Sequence, residues 1–456
     1  MYGVFIKYNK NHDNKTIGEN IYKERIKNMV AKNVLIFPAG TEIAFEIFNA
    51  LKYSKFVNII GGTSISDHSE YVFKTLIKDF PYVDDYGFLC YLNRVINEYK
   101  IEYIYPAHDS VGMFLSEHVG EIQAQVVISD YKTVKICRSK ADTYEYFKNE
   151  YFIPRTYKNV SCVKEYPVFV KPSVGQGSQG ARKINTYDEL CQAVAEDETL
   201  VICEYLPGME YTVDCFTDRY GKLRVVKLRD RERIRAGISV RSKELSVNNE
   251  IRDIANIINR KLKFRGAWFF QVKQKENKEY CLMEISPRVP GTMGLSRNTG
   301  VNFPLLTLFD FWEYDVDIVD NNYDIMLDRA FYNAYKIDIS YGYIYIDYDD
   351  TLVIGQEVNI LLLAFLYQAI KNKKKLILLS KHKGNIYDDM KKHRISKDLF
   401  DEIIVIAQED EKVKHIKYTE SIFIDDSFSE RCKVKKQLNI PVFDVDMVEA
   451  LIDWKL

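Results

Sequence analysis

The chain has 456 residues, 46% hydrophobic and 28% charged, enough for roughly two to four domains with full cores. Lys plus Arg (64) nearly equals Asp plus Glu (65), so no overall field recruits nucleic acid or an anionic membrane. No apolar run reaches bilayer length, the first residues lack a signal-peptide core, and the eight cysteines form no C-x-x-C pair, which predicts a cytoplasmic protein with buried free thiols.

Residues 1–30 are a polar lead-in compatible with one helix. From Asn33, apolar strands alternate with amphipathic helices: strand 33–37, a Pro-Ala-Gly turn, helix 42–53, strand 57–60 ending at Gly61-Gly62, and strand 103–105 after a long polar helix. This alternation predicts a doubly wound parallel sheet, whose strand-end segments 38–40 and 106–109 fall where such sheets bind ligands. His108 reads as a hydrogen-bonded structural histidine rather than a catalyst.

The middle region starts near Tyr131, with Lys140 opening a helix, and leads to VFVKPSVGQGSQG at 168–180. Here an apolar strand ends in Lys171 and runs into Gly175, Gly177 and Gly180. A glycine-rich backbone closes on phosphate oxygens because no side chain holds the ligand away, and the lysine adds positive charge. The glycines satisfy G-x-G-x-x-G, yet that dinucleotide pattern needs a helix to begin on them. Residues 181–185 read instead as a second strand, with a helix only from Thr186. A hairpin flap over phosphates fits better; a plain surface turn with an edge lysine is the alternative. A protein-kinase flap is disfavoured because its lysine follows the glycines.

Strand 200–204 ends in Glu204, where neighbouring backbone groups can face an adenine edge, and Glu210 beyond the Pro207-Gly208 break can accept from ribose hydroxyls. Arg229, Arg231, Arg233 and Arg235 recur every second residue. On an extended segment all four point to one side, a face for phosphates and an acidic substrate, with a solvated basic strand as the competing reading. A hairpin folded near Asn277 sets Gln271 opposite Glu284, a pair suited to magnesium, and Arg288 follows four residues on.

These ordered motifs resemble ATP-grasp enzymes of the carbamoyl-phosphate-synthetase and carboxylate-amine-ligase kind, over residues from about 33 to 330 and including the preceding Rossmann-like domain. The resemblance implies that Lys140 and Lys171, beside the flap residues Gly175, Gly177, Ser178 and Gly180, contact the nucleotide phosphates of ATP. It further implies Glu204 and Leu206 at adenine, Glu210 at ribose, Gln271 and Glu284 on magnesium, with manganese as a substitute, and Arg288 at the acyl phosphate. Arg233, from the arginine run, joins Arg288 in orienting the acid. The family often has asparagine two residues after the glutamate, where this chain has Ser286, a weak neutral ligand that would hold a second metal loosely or through water.

From Tyr341, three apolar strands each end in polar groups: Asp347 and Asp349, then Ser380, then Asp425 with Asp426. Such strand ends converge at one edge of a parallel sheet, which suits phosphoryl transfer through an aspartyl phosphate. The D-x-D-x-T-L run, the apolar strand ending in serine and the I-D-D resemble the haloacid-dehalogenase superfamily. That resemblance implies Asp347 as nucleophile, Asp349 as general acid and base, and Ser380 as a phosphate donor. The same resemblance implies that Asp425 ligates magnesium with Asp426 in support, that Asp347 and Asp349 belong to the same metal set, and that Lys412, ahead of Lys414, neutralises charge.

The predicted architecture is α/β in three parts: a preATP-grasp Rossmann-like domain (1–130), an α+β ATP-grasp domain (131–335), and a haloacid-dehalogenase-like doubly wound parallel sheet with minimal cap (336–456). The predicted function is a bifunctional enzyme that joins a small-molecule carboxylate to an amine with ATP and hydrolyses a related phosphate monoester. No nucleic-acid or membrane partner is expected, and a homodimer is allowed. The alternatives are a carbamoyl-phosphate-forming or small-molecule kinase enzyme with a noncatalytic carboxy-terminal module, and a nucleotide-sensing binding protein.

Overall fold

The computed structural model describes residues 4–7, 30–175, 177, 179–318, 320–321 and 323–455. The helix expected in the lead-in, and Ser178 of the flap, lie outside these. Described residues up to Phe331 form one compact unit and Tyr332–Lys455 a second.

The first unit begins with a five-stranded parallel sheet in the order Leu76–Ile77, Val57–Gly62, Lys32–Phe37, Tyr103–Pro106, Gln125–Val126. Successive side chains of a strand face opposite sides. Val34 and Ile36 therefore enter one core with Ile47, Phe48 and Phe303, while Leu35 and Phe37 enter another with Phe88, Leu92 and Ile104. Numbered along the chain, the strand order is 3-2-1-4-5, so the connections diverge between the ends of Lys32–Phe37 and Tyr103–Pro106. Thr41 caps helix Glu42–Leu51 at the first of these ends, and His108 caps helix Asp109–Glu117 at the second.

A four-stranded antiparallel sheet follows, in the order Thr156–Tyr157, Leu200–Glu204, Val168–Pro172, Arg182–Ile184, closed by helix Tyr187–Glu196 over Val168, Val170, Ile184 and Ile202. Val168–Pro172 and Arg182–Ile184 are the two arms of the glycine hairpin. A seven-stranded antiparallel sheet then runs Arg233–Arg235, Ile238–Leu245, Leu223–Asp230, Glu210–Thr217, Gly266–Gln274, Tyr280–Ser286, with Met326–Asp328 pairing Ile238–Leu245. Helix Asn249–Lys261 buries Ile251, Ile254, Ala255 and Ile258 against it, the i, i+3, i+4, i+7 stripe of an amphipathic helix. Beneath, Phe264 stacks on Trp268 at 4.0 Å, and the Trp268 indole donates to Thr217 Oγ1 at 2.8 Å. Strand Val4–Lys7 pairs antiparallel with Asp315–Ile318.

The second unit is a five-stranded parallel sheet in the order Glu402–Val405, Lys375–Ser380, Tyr343–Ile346, Ser421–Ile424, Val442–Phe443. It again reads 3-2-1-4-5 along the chain. Helices Ile360–Lys371, Ile386–Lys392 and Phe428–Leu438 connect it, and a short hairpin, Val353–Ile354 with Glu357–Val358, follows the first strand.

All eight cysteines are free, but Cys90 and Cys162 are exposed, which corrects the expectation of buried thiols. Cys90 lies on helix Phe88–Tyr99, whose inward stripe is Phe88, Leu92, Val95 and Ile96. Among the described residues no helix is long and apolar enough to cross a membrane.

Candidate functional site

In the first unit a cavity of about 500 Å³ is lined by Lys140, Gly175, Gly177, Arg231, Gln271, Glu284 and Arg288, among others. Hairpin register sets Gln271 directly opposite Glu284, with a bulge just after Gln271. Lys140 Nζ stands 4.0 Å from Glu284 Oε2 and donates to the Gly175 carbonyl at 3.4 Å. Lys171 is buried behind them, donating to Tyr144 Oη at 2.6 Å and the Met283 carbonyl at 3.1 Å. Burial pulls its pKa down, and Lys140 adds to the effect. Tyr144 and Met283 offer this cation only neutral oxygens, so an incoming anion would relieve it.

The flap is fitted backbone to backbone. Gly237 has φ +74°, and a Cβ there would sit 2.2 Å from the Gly177 carbonyl carbon, so a side chain would push the flap away. Gly180 also has positive φ (+71°) and lies outside the cavity wall.

The arginine run does not form one face. Strand Leu223–Asp230 ends before Arg231, and the chain resumes at Arg233–Arg235. Arg229 is buried and donates to both Asp214 oxygens, at 2.9 and 3.3 Å. Arg231 turns to Gln271 and to the Gly237 carbonyl, the latter at 2.7 Å. Arg233 is exposed, pairs with Asp328 at 2.8 Å and stands outside the cavity wall, and Arg235 is exposed over the Phe331 ring. The expectation of Arg233 beside the acid is corrected on that ground: Asp214 and Gln271 hold the first two arginines inward and Asp328 draws the third outward.

Arg288 lines the cavity but is not free to turn. Its Nε and Nη2 donate to the two oxygens of Asp109 at 2.7 and 2.9 Å, and Ser286 Oγ donates to the same carboxylate at 3.2 Å. Burial opposes the charged form of Asp109, yet Arg288 outweighs it and holds the carboxyl well below the usual range. Asp109, which opens helix Asp109–Glu117 just past strand Tyr103–Pro106, is thus a site residue legible in the sequence only as part of the 106–109 strand-end segment. Glu204, Leu206 and Glu210 stand outside the cavity wall. Glu204 accepts from the Arg155 amide at 2.9 Å, Glu210 from Lys273 at 3.0 Å, and Leu206 lies half-buried in the turn between their strands.

In the second unit, Asp347 follows strand Tyr343–Ile346 and Asp425 follows Ser421–Ile424, the neighbours at that sheet's switch point. Asp347, Asp425 and Asp426 offer carboxylate oxygens all within 4.8 Å of one another. Buried Lys412 bridges two of them, 2.8 Å from Asp347 Oδ1 and 2.6 Å from Asp425 Oδ2. Burial and the neighbouring Asp347 carboxylate push Asp425 up to about 7 against the pull of Lys412. Lys414 is exposed and pairs with Glu411 and Asp410. Ser380 ends its strand fully buried, and burial pushes the Asp347 carboxyl up against the pull of Lys412. Asp349 turns outward and meets His382 Nδ1 at 2.9 Å. Thr351, one turn after Asp347, accepts from the Asp426 amide at 3.0 Å.

A glycine hairpin on one antiparallel sheet, facing a second sheet that carries Gln271 and Glu284 across a cleft, is the arrangement of the ATP-grasp fold. More particularly, the family model described as ATP-grasp in the biosynthetic pathway with Ter operon matches residues 196–327. Among solved structures, the chain is similar to the biotin carboxylase domain of Hydrogenobacter thermophilus 2-oxoglutarate carboxylase, in complex with MgADP and bicarbonate (TM-score 0.53, 16% identity, 65% of this chain and 74% of that one). It is also similar to Campylobacter jejuni biotin carboxylase (0.52, 14%, 62% and 71%) and to an L-amino acid ligase from Bacillus licheniformis (0.51, 15%, 62% and 75%). At these identities the likeness is one of fold. No curated protein matches the chain in sequence.

Proposed function

We propose that the first unit is an ATP-dependent ligase that activates a carboxylate as an acyl phosphate and passes it to an amine. One observation carries this reading: Lys140 and Glu284 line a single cavity beneath a glycine flap, with Lys171 buried behind them on Tyr144 and the Met283 carbonyl. A carboxylate oxygen of the acid attacks the γ-phosphorus of ATP and ADP leaves. The amine nitrogen then attacks the acyl carbon, phosphate departs, and the nitrogen loses its proton. Lys140, Lys171 and the flap amides meet the charge that develops on the transferred group, a role in which removing one donor costs about 3 kcal/mol in other enzymes. Glu284 and Gln271 are the residues that would hold magnesium, which lowers the repulsion between phosphate and carboxylate. Ser286, engaged with Asp109, is poorly suited to bind a second ion.

The second unit is proposed to be a phosphohydrolase of the haloacid-dehalogenase kind. Asp347 attacks the phosphorus of a phosphate monoester while Asp349 protonates the departing alkoxide; water, deprotonated by Asp349, then cleaves the aspartyl phosphate. Asp425 and Asp426 are the residues suited to magnesium, and Lys412 offsets the Asp347 charge. The 1–130, 131–335 and 336–456 division remains our proposal for the domains, with a homodimer compatible.

Incubation with ATP, magnesium and panels of acids and amines tests the ligase. ADP release should require both substrates, and Lys171→Ala should lower it at least about 100-fold. Release that never depends on the amine would refute ligation.

A further inference from the structure

Arg229, Arg231 and Arg329 line the first unit's cavity, and each has one guanidinium nitrogen, Arg229 Nη1, Arg231 Nε and Arg329 Nη1, buried without a hydrogen-bond partner among the described residues. Arg229 and Arg231 are only 3% and 9% exposed. A buried donor left unmade costs about 1–3 kcal/mol, and more when charged, so three such arginines around one cavity suit a ligand that brings anionic oxygen.

On the wall itself basic side chains outnumber acidic ones: Arg138, Arg229, Arg231, Arg288, Arg329 and Lys140 against Glu42, Asp109 and Glu284. Behind it, Asp214 takes Arg229, and Glu210 Oε2 stands 3.8 Å from Arg231 Nη1. Asp109 is already taken by Arg288.

The unpartnered donors fall in two places. Arg231 reaches Gln271 and the Gly237 carbonyl. Arg329 is anchored through its backbone amide to the Val240 carbonyl, three residues further along the same segment and therefore roughly 10 Å away along an extended chain. Its side chain turns to the opening of helix Glu42–Leu51. Nη2 is 3.9 Å from Glu42 Oε2, and a Cβ on Gly291 would lie 3.6 Å from Nη1 and 3.4 Å from the Glu42 Cβ. One carboxylate is too small to serve both places.

The geometry points to an acid substrate with two anionic groups. The carboxylate to be activated lies toward Arg229 and Arg231, and a second carboxylate or a phosphate is held by Arg329. This rests on the ligase reading and narrows its substrate class.

Amine-dependent ADP release is measured with monocarboxylic acids, dicarboxylic acids and phosphorylated hydroxy acids of matched length. Dianionic acids should exceed monoanionic ones in kcat/KM by about tenfold or more, the effect of one charge-assisted hydrogen bond. Arg329→Gln should erase most of that preference through KM for the acid while leaving KM for ATP unchanged. Arg329→Lys, which keeps the charge without the planar fork, should fall between, and it serves if Arg329→Gln fails to fold. The dicarboxylic and phosphorylated arms distinguish the second group. Equal kcat/KM for mono- and dianionic acids in the wild type, or a loss in both variants shared equally by the two classes, would overturn the inference and leave the ligase standing. ADP release supported by no acid would remove both.

Discussion

Replacing Asp109 by asparagine tests the clamp that fixes Arg288. The pair makes two charge-assisted hydrogen bonds with side chains 15% and 19% exposed. Asparagine keeps one acceptor, loses the other bond and leaves the guanidinium largely buried without a counter-charge. Breaking a buried pair costs roughly 3–5 kcal/mol and losing one charged hydrogen bond roughly 1.5–3, so with residual water contact we expect about 2–3 kcal/mol. That is about 30- to 150-fold in the folding equilibrium. Urea unfolding followed by tryptophan fluorescence reports it, since Trp268 and Trp312 belong to the first unit; the midpoint should fall by about 1 M. A cycle with Arg288→Met should give a coupling near 2 kcal/mol. The pH dependence has a definite sign. Because the folded carboxyl is held below its ordinary range, its contribution is present above the unfolded value of about 3.9 and is lost as pH falls through the folded one. Wild type and variant should therefore differ by a constant amount at neutral pH and converge below about pH 4. A coupling under about 0.5 kcal/mol, or a deficit that persists undiminished in acid, would refute the reasoning.

Gly237→Ala should raise KM for ATP by about tenfold or more through displacement of the flap, beyond the roughly 1 kcal/mol of backbone strain at positive φ; an unchanged KM, read by ADP release, would count against a fitted flap. Asp347→Asn should abolish hydrolysis of every phosphate ester the wild type accepts and leave ADP release intact, as measured by phosphate release. Lys412→Met should lower the second unit's stability by roughly 3 kcal/mol, since it leaves two buried carboxylates facing each other; the fluorescence of Trp454 in urea checks it. In native protein, Cys90 and Cys162 should react first with a thiol reagent, ahead of buried Cys137, Cys203, Cys215 and Cys281.

Local pattern made the elements legible. Residues 33–37 read as a strand because Val34 to Phe37 are all apolar enough for burial on either face, and Gln271 meets Glu284 because the two are nearly equidistant from the turn at Asn277. The resemblance puts Lys412 ahead of Lys414, and of the two it is Lys412 that meets Asp347 and Asp425. What the pattern does not carry is pairing across the chain. Arg288 meets Asp109 from 179 positions away, and Arg233 meets Asp328 from 95. An alternating run of arginines looks uniform until partners on other strands sort its members inward and outward. Arg329 carried no local motif at all; only an unoccupied donor in a shared cavity reveals it.

The 3-2-1-4-5 strand order occurs once in each unit. Where the winding reverses, the two facing strand tips come from remote parts of the sequence: Phe37 beside Pro106 in one, Ile346 beside Ile424 in the other. Each tip's loop can thus lengthen or change composition on its own, with the ladder behind it untouched. New specificity at either crevice is accessible through loop replacement without reworking the scaffold, and grafting experiments have a natural seam there.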